Sequence, residues 1–354
     1  MTPSLAPLTD AEHDSFVASQ PAGHVLQSTA WSALKTAHGW TAARSTTRDA
    51  SGQINSAGSI LLRAFPYGLG RIAYCPRGPV TGWDAADAGA QALAAAVAAA
   101  RRAGAFALVI EPELDDSAHA HALLARNGFG ALDFAVQPRR SIVLDVRGDD
   151  EQALLARMKQ KTRYNVGLAR RKGVSVRRGG VADAPMLHAM LQTTAARDQF
   201  SIHPLGYYSD FLRLFCASEA APGALFIAEH AGQPLAALVA TALGETGIYL
   251  YGASDNEKRE LMPTYVLQFE AMCWARSRGC ARYDLWGVPD EDEATLEAQF
   301  ETRHDGLWGV YRFKRGFGGQ LTRTSGAWVR VLSPLRWRLY RMASARRGGH
   351  GLAA

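Results

Sequence analysis

Residues 248–289 read IYLYGASDNEKRELMPTYVLQFEAMCWARSRGCARYDLWGVP, and their pattern is the strongest indication of the chain's architecture. Their pattern predicts, in order, a strand at Ile248–Gly252, a loop at Glu257–Pro263, a helix at Thr264–Ser277 and a strand at Cys280–Trp286. Gly279 follows the helix, where glycine commonly ends one. This stretch is one strand-loop-helix-strand unit.

The first half of the chain contains the same unit. A strand is predicted at Arg71–Cys75, an alanine-rich helix at Ala85–Ala103 and a buried strand at Phe106–Pro112. Tyr74 lies 38 residues before Pro112, and Tyr251 lies 38 residues before Pro289. Two unrelated units could share this spacing, but the repeat favours an α/β (α+β) chain of two tandem domains like acyl-CoA N-acyltransferases (GNAT-like).

The domains are predicted at residues 1–147 with about 325–354, and at residues 148–324. The C-terminal helix is expected to pack back on the first domain. Its apolar residues lie on one side and its basic residues on the other: Leu332, Leu335, Leu339 and Met342, opposite Arg336, Arg338, Arg341 and Arg346. Packing of the apolar side on the protein is the favoured interpretation. The alternative is that this side rests on anionic lipid, as a peripheral membrane contact.

The positive charge of the chain is concentrated in two segments. The formal net charge is +6, yet residues 157–178 hold nine Lys or Arg and no acid, and residues 306–354 hold ten and no acid. The rest of the chain therefore carries −13. This partition indicates docking surfaces for an anionic partner, with two solvated helix faces as the alternative.

Composition excludes several classes of protein. An apolar fraction of 47% and a charged fraction of 20% are typical of a globular chain. The four cysteines are scattered and are expected to be reduced, and no metal-binding, Gly-x-Ser-x-Gly or phosphate-loop motif is present. No metal or cofactor is therefore expected. Acids near the N-terminus argue against a secretory signal, so a cytoplasmic protein is predicted, or one held at the inner face of the membrane.

The first basic segment carries a family resemblance. Residues 159–174 follow the pattern Lys-x-Lys-x-Arg, five residues, then Ala-Arg-Arg-Lys-Gly-Val. This pattern resembles the signature of the Fem aminoacyltransferases. Further motifs match in the same order: Gln27-Ser28-x-x-Trp31-x-x-x-Lys35, Tyr251-Gly252-Ala253-Ser254, Met262-Pro263, Tyr283-Asp284-Leu285-Trp286-Gly287 and Phe313-Lys314-Arg315-Gly316-Phe317-Gly318-Gly319. The chain resembles the short form of the family, without a coiled-coil arm.

The resemblance implies a reaction and its partners. An amine on the stem peptide of a peptidoglycan precursor would attack the ester of an aminoacyl-tRNA, building the interpeptide bridge of the cell wall. The acceptor would be UDP-MurNAc-pentapeptide or its lipid-linked form, and the enzyme is expected to be a monomer. The tRNA would contact the first basic segment through phosphates, for which the candidates are Lys159, Lys161, Arg163, Arg170 and Arg171.

Candidate acceptor residues also follow from the resemblance. Lys35 would hold the diphosphate, beside Trp31 on a helix that Ser28 caps, although a lysine there is usually exposed to solvent. The family pattern Thr-x-Arg-x-x-x-Tyr reads Ser201-x-His203-x-x-x-Tyr207 in this sequence, so a mostly neutral histidine replaces a charged arginine. Tyr251 would line the amine channel, or simply pack in the core.

Candidate catalytic residues lie in each half. Residues 311–319 are predicted to form a strand that runs into a glycine-rich bend. Lys314, beside Phe313 on this strand, would stabilise the developing negative charge; the alternative is a surface lysine. Glu111 ends a strand of the first domain and is a candidate general base, or a structural carboxylate.

Two other functions remain open from the sequence. An ordinary acyl-CoA-dependent N-acyltransferase would need a glycine-rich loop before the second repeat's helix, but residues 258–263 contain no glycine, and Pro263 lacks a backbone N–H. A non-catalytic protein that binds tRNA or a membrane surface would also suit the basic segments.

Overall fold

A computed structural model describes residues 8–65, 68, 70–85, 87–148, 150–198, 200–347 and 352, except for the side chains of residues 345–347. The chain divides into two compact units, residues 1–139 with 323–354, and residues 140–322.

The helices are α1 (Asp10–Ser19), α2 (Thr29–Ala37), α3 (Ala88–Arg102), α4 (Ala118–Arg126), α5 (Glu151–Ala156), α6 (Gln160–Arg171), α7 (Ala184–Asp198), α8 (Leu205–Phe215), α9 (Pro263–Ser277), α10 (Glu293–Gln299), α11 (Trp308–Lys314) and α12 (Pro334–Arg347). The strands are β1 (Thr41–Arg48), β2 (Ile54–Phe65), β3 (Gly70–Pro76), β4 (Val80–Thr81), β5 (Ala105–Glu111), β6 (Gly130–Ala131), β7 (Arg140–Asp145), β8 (Ser175–Gly179), β9 (Gly223–His230), β10 (Gln233–Leu243), β11 (Thr246–Ser254), β12 (Arg282–Gly287), β13 (Gln320–Arg323) and β14 (Trp328–Val331).

The first unit is built on one sheet in the order β1-β2-β3-β5-β14-β6, with β4 beside β2. β3 and β5 are parallel and are joined through α3, while β2 and β14 flank them in the antiparallel sense. The buried face of α3 is formed by alanines, including Ala92, Ala96 and Ala99. Small side chains at helical spacing let this helix lie close to the sheet.

The second unit repeats this arrangement in a sheet of order β13-β7-β12-β11-β10-β9-β8. β11 and β12 are parallel and are joined through α9, and β10 and β7 flank them in the antiparallel sense. Pro263 occupies the first turn of α9, where its missing N–H costs no helical hydrogen bond. The α/β prediction and the internal repeat are therefore confirmed.

One strand lies on the other side of the predicted domain boundary. The prediction assigned residues up to 147 to the first domain, but β7 pairs with β12 and belongs to the second unit. The sequence of a short strand does not indicate which sheet the strand joins, because its pairing depends on residues that are distant in the chain.

The region around Lys314 was predicted wrongly as a strand. Residues 308–314 form α11, and a 3₁₀ helix follows at Arg315–Phe317. Trp308, Tyr311 and Lys314 are its buried residues. This spacing of three belongs to a helix, and the aromatic residues obscured it by their high strand propensity.

The C-terminal helix α12 packs on the first unit, as predicted, but through a different face. Tyr340 is 2% exposed, and its ring lies 5.2 Å from Phe65 and 5.7 Å from Phe106. Leu335, Leu339 and Met342, predicted to be packed, are 70%, 39% and 50% exposed. Leu332 precedes the helix and packs against the first unit's core. The aromatic side has more apolar area to bury, so it takes the core position.

Candidate functional site

Lys35 is a buried cation in the first unit. Its helix α2 begins after Ser28, whose hydroxyl accepts a hydrogen bond from the Trp31 N–H at 3.2 Å. Lys35 is 7% exposed, and its Nζ lies 5.7 Å from the ring centroids of both Trp31 and Trp40. The usual expectation of a solvent-facing lysine is therefore wrong here.

A second cation lies close to Lys35. The guanidinium of Arg63, on β2, lies 5.4 Å from the ring of Trp40. Burial, and then the positive charge of Arg63, lower the pKa of Lys35 to about 8. An anion bound here would reverse both effects, because it would offset the repulsion and replace the lost hydration. Sequence reasoning missed Arg63, although an arginine inside the apolar run of β2 was a visible signal.

Gln27 fixes the start of α2 to the sheet. Its Oε1 accepts a hydrogen bond from the Ser59 N–H at 2.8 Å, and its Nε2 donates to the carbonyl of Pro76. A Cβ at Gly78 would overlap the Gln27 side chain. Gln27 therefore has a structural role, which is to hold the helix that presents Lys35.

Lys314 is a buried cation in the second unit. It is 4% exposed, its Nζ donates a hydrogen bond to the carbonyl of Gly287 at 2.8 Å, and it lies 5.4 Å from the ring of Tyr249. Burial lowers its pKa to about 7, against the opposing effect of the negative charge of Asp284. The alternative interpretation as a surface lysine is wrong. Both protonation states are populated near neutral pH, which suits a group that must respond to developing charge.

The surroundings of Lys314 depend on a glycine and a bulge. A Cβ at Gly252 would overlap the Tyr249 hydroxyl, so only glycine leaves room for that ring. The pairing of β10 with β11 shifts between Tyr249 and Tyr251. Such a bulge redirects neighbouring side chains. Tyr249 consequently contacts Lys314, while Tyr251 contacts residues of α8.

The end of β12 is held by Asp284. Its carboxylate accepts hydrogen bonds from the Ser141 hydroxyl and from the N–H of Trp286, the latter at 2.7 Å. These bonds hold the turn that presents the Gly287 carbonyl to Lys314. Two of the sequence motifs, residues 283–287 and 313–319, thus meet at one hydrogen bond.

The glycine bend after Lys314 receives the basic helix α6. The Lys159 N–H donates to the Gly316 carbonyl at 2.9 Å, and a Cβ at Gly316 would overlap the Thr162 hydroxyl. Phe313 packs edge-on against Tyr265 and Phe317, each at 5.1 Å. The glycines therefore permit close backbone contact, and Phe313 has a packing role beside Lys314.

Three of the predicted acceptor residues form an aromatic cluster. The His203 ring stacks on Tyr207 with centroids 3.8 Å apart, and the Tyr207 and Tyr251 hydroxyls are 3.4 Å apart. Burial raises the pKa of Tyr207 to about 12. Ser201, predicted with them, is exposed. The cluster presents an imidazole and two phenol hydroxyls, where an arginine at 203 would present a guanidinium.

Glu111 is held inside the first unit. It is 3% exposed and accepts hydrogen bonds from the Tyr74 hydroxyl and from the N–H groups of Val136, at 2.6 Å, and Gln137, at 3.1 Å. Burial raises its pKa despite these bonds. Its oxygens are engaged in positioning backbone, which favours the structural alternative over the general base.

The predicted tRNA residues differ in their surroundings. Lys159 lies 3.8 Å from Glu297, and Arg170 pairs with Glu151 at 3.1 Å and with Glu270 at 2.8 Å. The other candidates, Lys161, Arg163 and Arg171, are exposed. Sequence reasoning missed Tyr164, which is 59% exposed, with the Arg171 guanidinium 5.6 Å from its ring.

The described part of the chain contains neither a cluster of metal-binding side chains nor a membrane-spanning helix. No group of three or more His, Cys, Asp or Glu residues there could hold a metal ion. None of the helices described is both long and apolar enough to cross a bilayer. All four cysteines are free thiols.

The sequence matches the family model described as the FemAB family over residues 8–123, 124–221 and 219–345. The chain belongs to the FemAB family. It is 24% identical over 396 positions to the lipid II:glycine glycyltransferase of Staphylococcus epidermidis, covering 92% of each chain. To the enzyme of the same name from Staphylococcus aureus it is 24% identical over 415 positions, covering 96% of this chain and 95% of the relative.

Solved structures show the same fold. The crystal structure of FemX matches with a TM-score of 0.80 at 23% identity, covering 95% of this chain and 98% of that one. A tandem GNAT protein from the clavulanic acid biosynthesis pathway matches with a TM-score of 0.50 at 11% identity, covering 84% of each chain. The prediction of a tandem N-acyltransferase fold is confirmed.

Proposed function

We propose that this FemAB family member is an aminoacyltransferase that adds an amino acid to the stem-peptide amine of a peptidoglycan precursor. The observation that carries the proposal is Lys314, a buried lysine whose ammonium is held on the Gly287 carbonyl. The names of its relatives, which are lipid II:glycine glycyltransferases, support the substrate class. The product would be the interpeptide bridge of the cell wall.

The donor in this proposal is an aminoacyl-tRNA. Support comes from α6, which exposes Lys161, Arg163 and Arg171 around the aromatic ring of Tyr164. Exposed cations can neutralise phosphates, and an exposed ring beside an arginine can stack on an unpaired base. Lys159 and Arg170, which carry acidic partners, would contribute less charge.

The acceptor's diphosphate would bind at Lys35 and Arg63. Lys35 and Arg63 both lie beside the ring of Trp40, and their positive charges repel each other. A bound anion would offset this repulsion. Arg63 would thereby supply a second positive charge beside Lys35. Ser201, His203, Tyr207 and Tyr251 would contact neutral parts of the acceptor.

The transfer step needs one oxyanion stabiliser and one net proton movement. The acceptor amine attacks the ester carbonyl, forming the new C–N bond and a tetrahedral oxyanion, which the Lys314 ammonium stabilises. Collapse breaks the C–O bond to the tRNA ribose. The amine loses one proton and the ribose oxygen gains one, so no cofactor is needed. Glu111 already accepts hydrogen bonds from Tyr74, Val136 and Gln137. The proton would therefore pass from the amine to the ribose oxygen directly or through Lys314.

The segment before α9 argues against an acyl-CoA substrate. It contains a 3₁₀ helix at Arg259–Leu261 and then Pro263, with no glycine and one backbone N–H fewer at the helix start. A pyrophosphate there would find fewer donors than a glycine-rich loop offers. We place the reaction in the cytoplasm, where charged tRNA is available.

The experiment measures transfer from a panel of charged tRNAs to the soluble and lipid-linked precursors. Lys314→Ala should lower kcat by at least about a hundredfold, and Lys35→Met should raise KM for the precursor. Lys258→Met is the matched control, since Lys258 bonds Gln233 at 2.7 Å and has no role in the site. Undiminished transfer by both site variants would refute the assignment.

A further inference from the structure

The helix α12 has two apolar faces, and only one of them packs on the protein. At about 100° per residue, Trp337, Tyr340 and Ser344 lie within a sector of about 60°. Tyr340 and Ser344 are buried, and Trp337 is half-buried and stacks on Tyr340 at 5.2 Å. This side holds the helix on the first unit.

The opposite side is an exposed apolar stripe formed by Leu335, Leu339 and Met342. These residues occupy positions i, i+4 and i+7, within about 60° of one another, and their centre lies roughly opposite the centre of the packed side. They are 70%, 39% and 50% exposed. No other described helix has three exposed large apolar side chains. The stripe is therefore a surface feature rather than part of the core.

Basic residues lie on both sides of the stripe. Arg336 lies at about 60–120° from its members on one side and Arg338 at about 40–100° on the other, and both are exposed. Arg341 forms an ion pair with Asp133 at 3.6 Å, which partly offsets its charge. Residues 306–354 contain ten Lys or Arg and no acid. An apolar stripe with arginines at its margins suits an anionic bilayer surface, where acyl chains meet phosphates.

A second copy of this chain is a poorer occupant of the stripe. Pairing two stripes would bring Arg336 and Arg338 of one copy against those of the other. Phosphate headgroups would instead neutralise the same side chains. The charge pattern thus selects the lipid surface.

The stripe's helix also lies next to the proposed diphosphate site. Tyr340, on the packed side of α12, contacts Phe65 of β2, and the charge of Arg63 on the same strand acts on the Tyr340 hydroxyl. A bilayer under the exposed side would lie about one helix diameter, roughly 10 Å, from the packed side. The diphosphate of a lipid-linked precursor lies at that membrane surface.

We propose that α12 docks the protein on anionic phospholipid through Leu335, Leu339 and Met342, with Arg336 and Arg338 contacting headgroup phosphates. A consequence, which rests on the proposed function, is that the lipid-linked precursor is the preferred acceptor. The docking itself needs no substrate.

The test is sedimentation of the full chain with vesicles of phosphatidylglycerol and phosphatidylcholine, containing no precursor. Leu335→Ser/Leu339→Ser/Met342→Ser should lower partitioning at least about tenfold, and Arg336→Gln/Arg338→Gln should lower it about fivefold per charge. Pure phosphatidylcholine should bind wild type far less. The matched control is Val181→Ser/Leu214→Ser/Leu307→Ser, at residues 42%, 36% and 42% exposed, which should partition as wild type.

Circular dichroism shows whether the triple variant keeps α12. Transfer to the soluble precursor separates the two proposals: the triple variant should retain it and lose preference for the lipid-linked form. Equal vesicle binding by wild type and a folded triple variant would overturn the docking proposal. So would a wild-type dimer in analytical ultracentrifugation that the triple variant abolishes, since the stripe would then be a contact between copies.

Discussion

Replacing Lys314 by methionine should stabilise the protein while abolishing transfer. The pKa of Lys314 is lowered from 10.5 to about 7 by burial. At pH 7 this difference costs the folded state about 4 kcal/mol relative to the unfolded chain. Methionine has similar length and no charge, so it removes that cost. It also leaves the Gly287 carbonyl without its donor, at about 1–3 kcal/mol. The net gain at pH 7 is therefore about 2 kcal/mol.

The difference in free energy of unfolding between Lys314→Met and wild type should change sign with pH. Between pH 7 and 10.5 the unfolded wild type binds a proton at Lys314 that the folded wild type does not, so wild-type stability rises with pH through this window. Near pH 10.5 the lowered pKa of Lys314 costs the folded wild type almost no stability. The variant should then be about 1–3 kcal/mol less stable than wild type, because its Gly287 carbonyl has no donor.

The assay is urea unfolding followed by tryptophan fluorescence at pH 7 and pH 10.5, with transfer measured on the same preparations. Lys258→Met is the control for replacing a lysine outside the site by methionine. A difference for Lys314→Met that is the same at both pH values would refute the buried, low-pKa lysine. Transfer at the wild-type rate would refute its role in the reaction.

Three further predictions follow from the two units. Arg63→Gln should raise the pKa of Lys35 above about 8, because it removes the nearby positive charge, and should raise KM for the precursor about tenfold; Lys NMR titration and initial rates check both effects. Gly252→Ala should displace Tyr249 and lower kcat with little change in tRNA affinity, whereas unchanged kcat would show that the ring does not support the site. Tyr164→Ala should weaken charged-tRNA binding by about 1–3 kcal/mol in filter binding, while Tyr164→Phe should bind like wild type if stacking is the contact.

Residues whose neighbours are close in sequence were predictable. Both β-α-β cores, at residues 71–112 and 248–289, could be predicted from the alternation of strand and helix patterns, because the periodicity of each pattern is a local property of the sequence. The cap at Ser28 and the basic helix α6 were equally visible. The resemblance then predicted Lys35 and Lys314 as site residues by residue type and order.

Features that depend on distant contacts were not predictable. An arginine inside the apolar run of β2 is visible in the sequence, but its nearness to Lys35 is not. The two side chains meet around Trp40 only through the pairing of β1 with β2 and the packing of α2. The bulge in β11 separates the partners of Tyr249 from those of Tyr251. The side of α12 that packs on the first unit is the one that contacts Phe65 and Phe106, which are far away in sequence.

The most direct test of the central claim is mass spectrometry of the precursor after incubation with the protein and charged tRNA. The account predicts a precursor heavier by one amino-acid residue, attached through an amide at the stem-peptide amine, and no product after ribonuclease treatment. An unchanged precursor with every charged tRNA offered, or a product formed from acyl-CoA without tRNA, would contradict it.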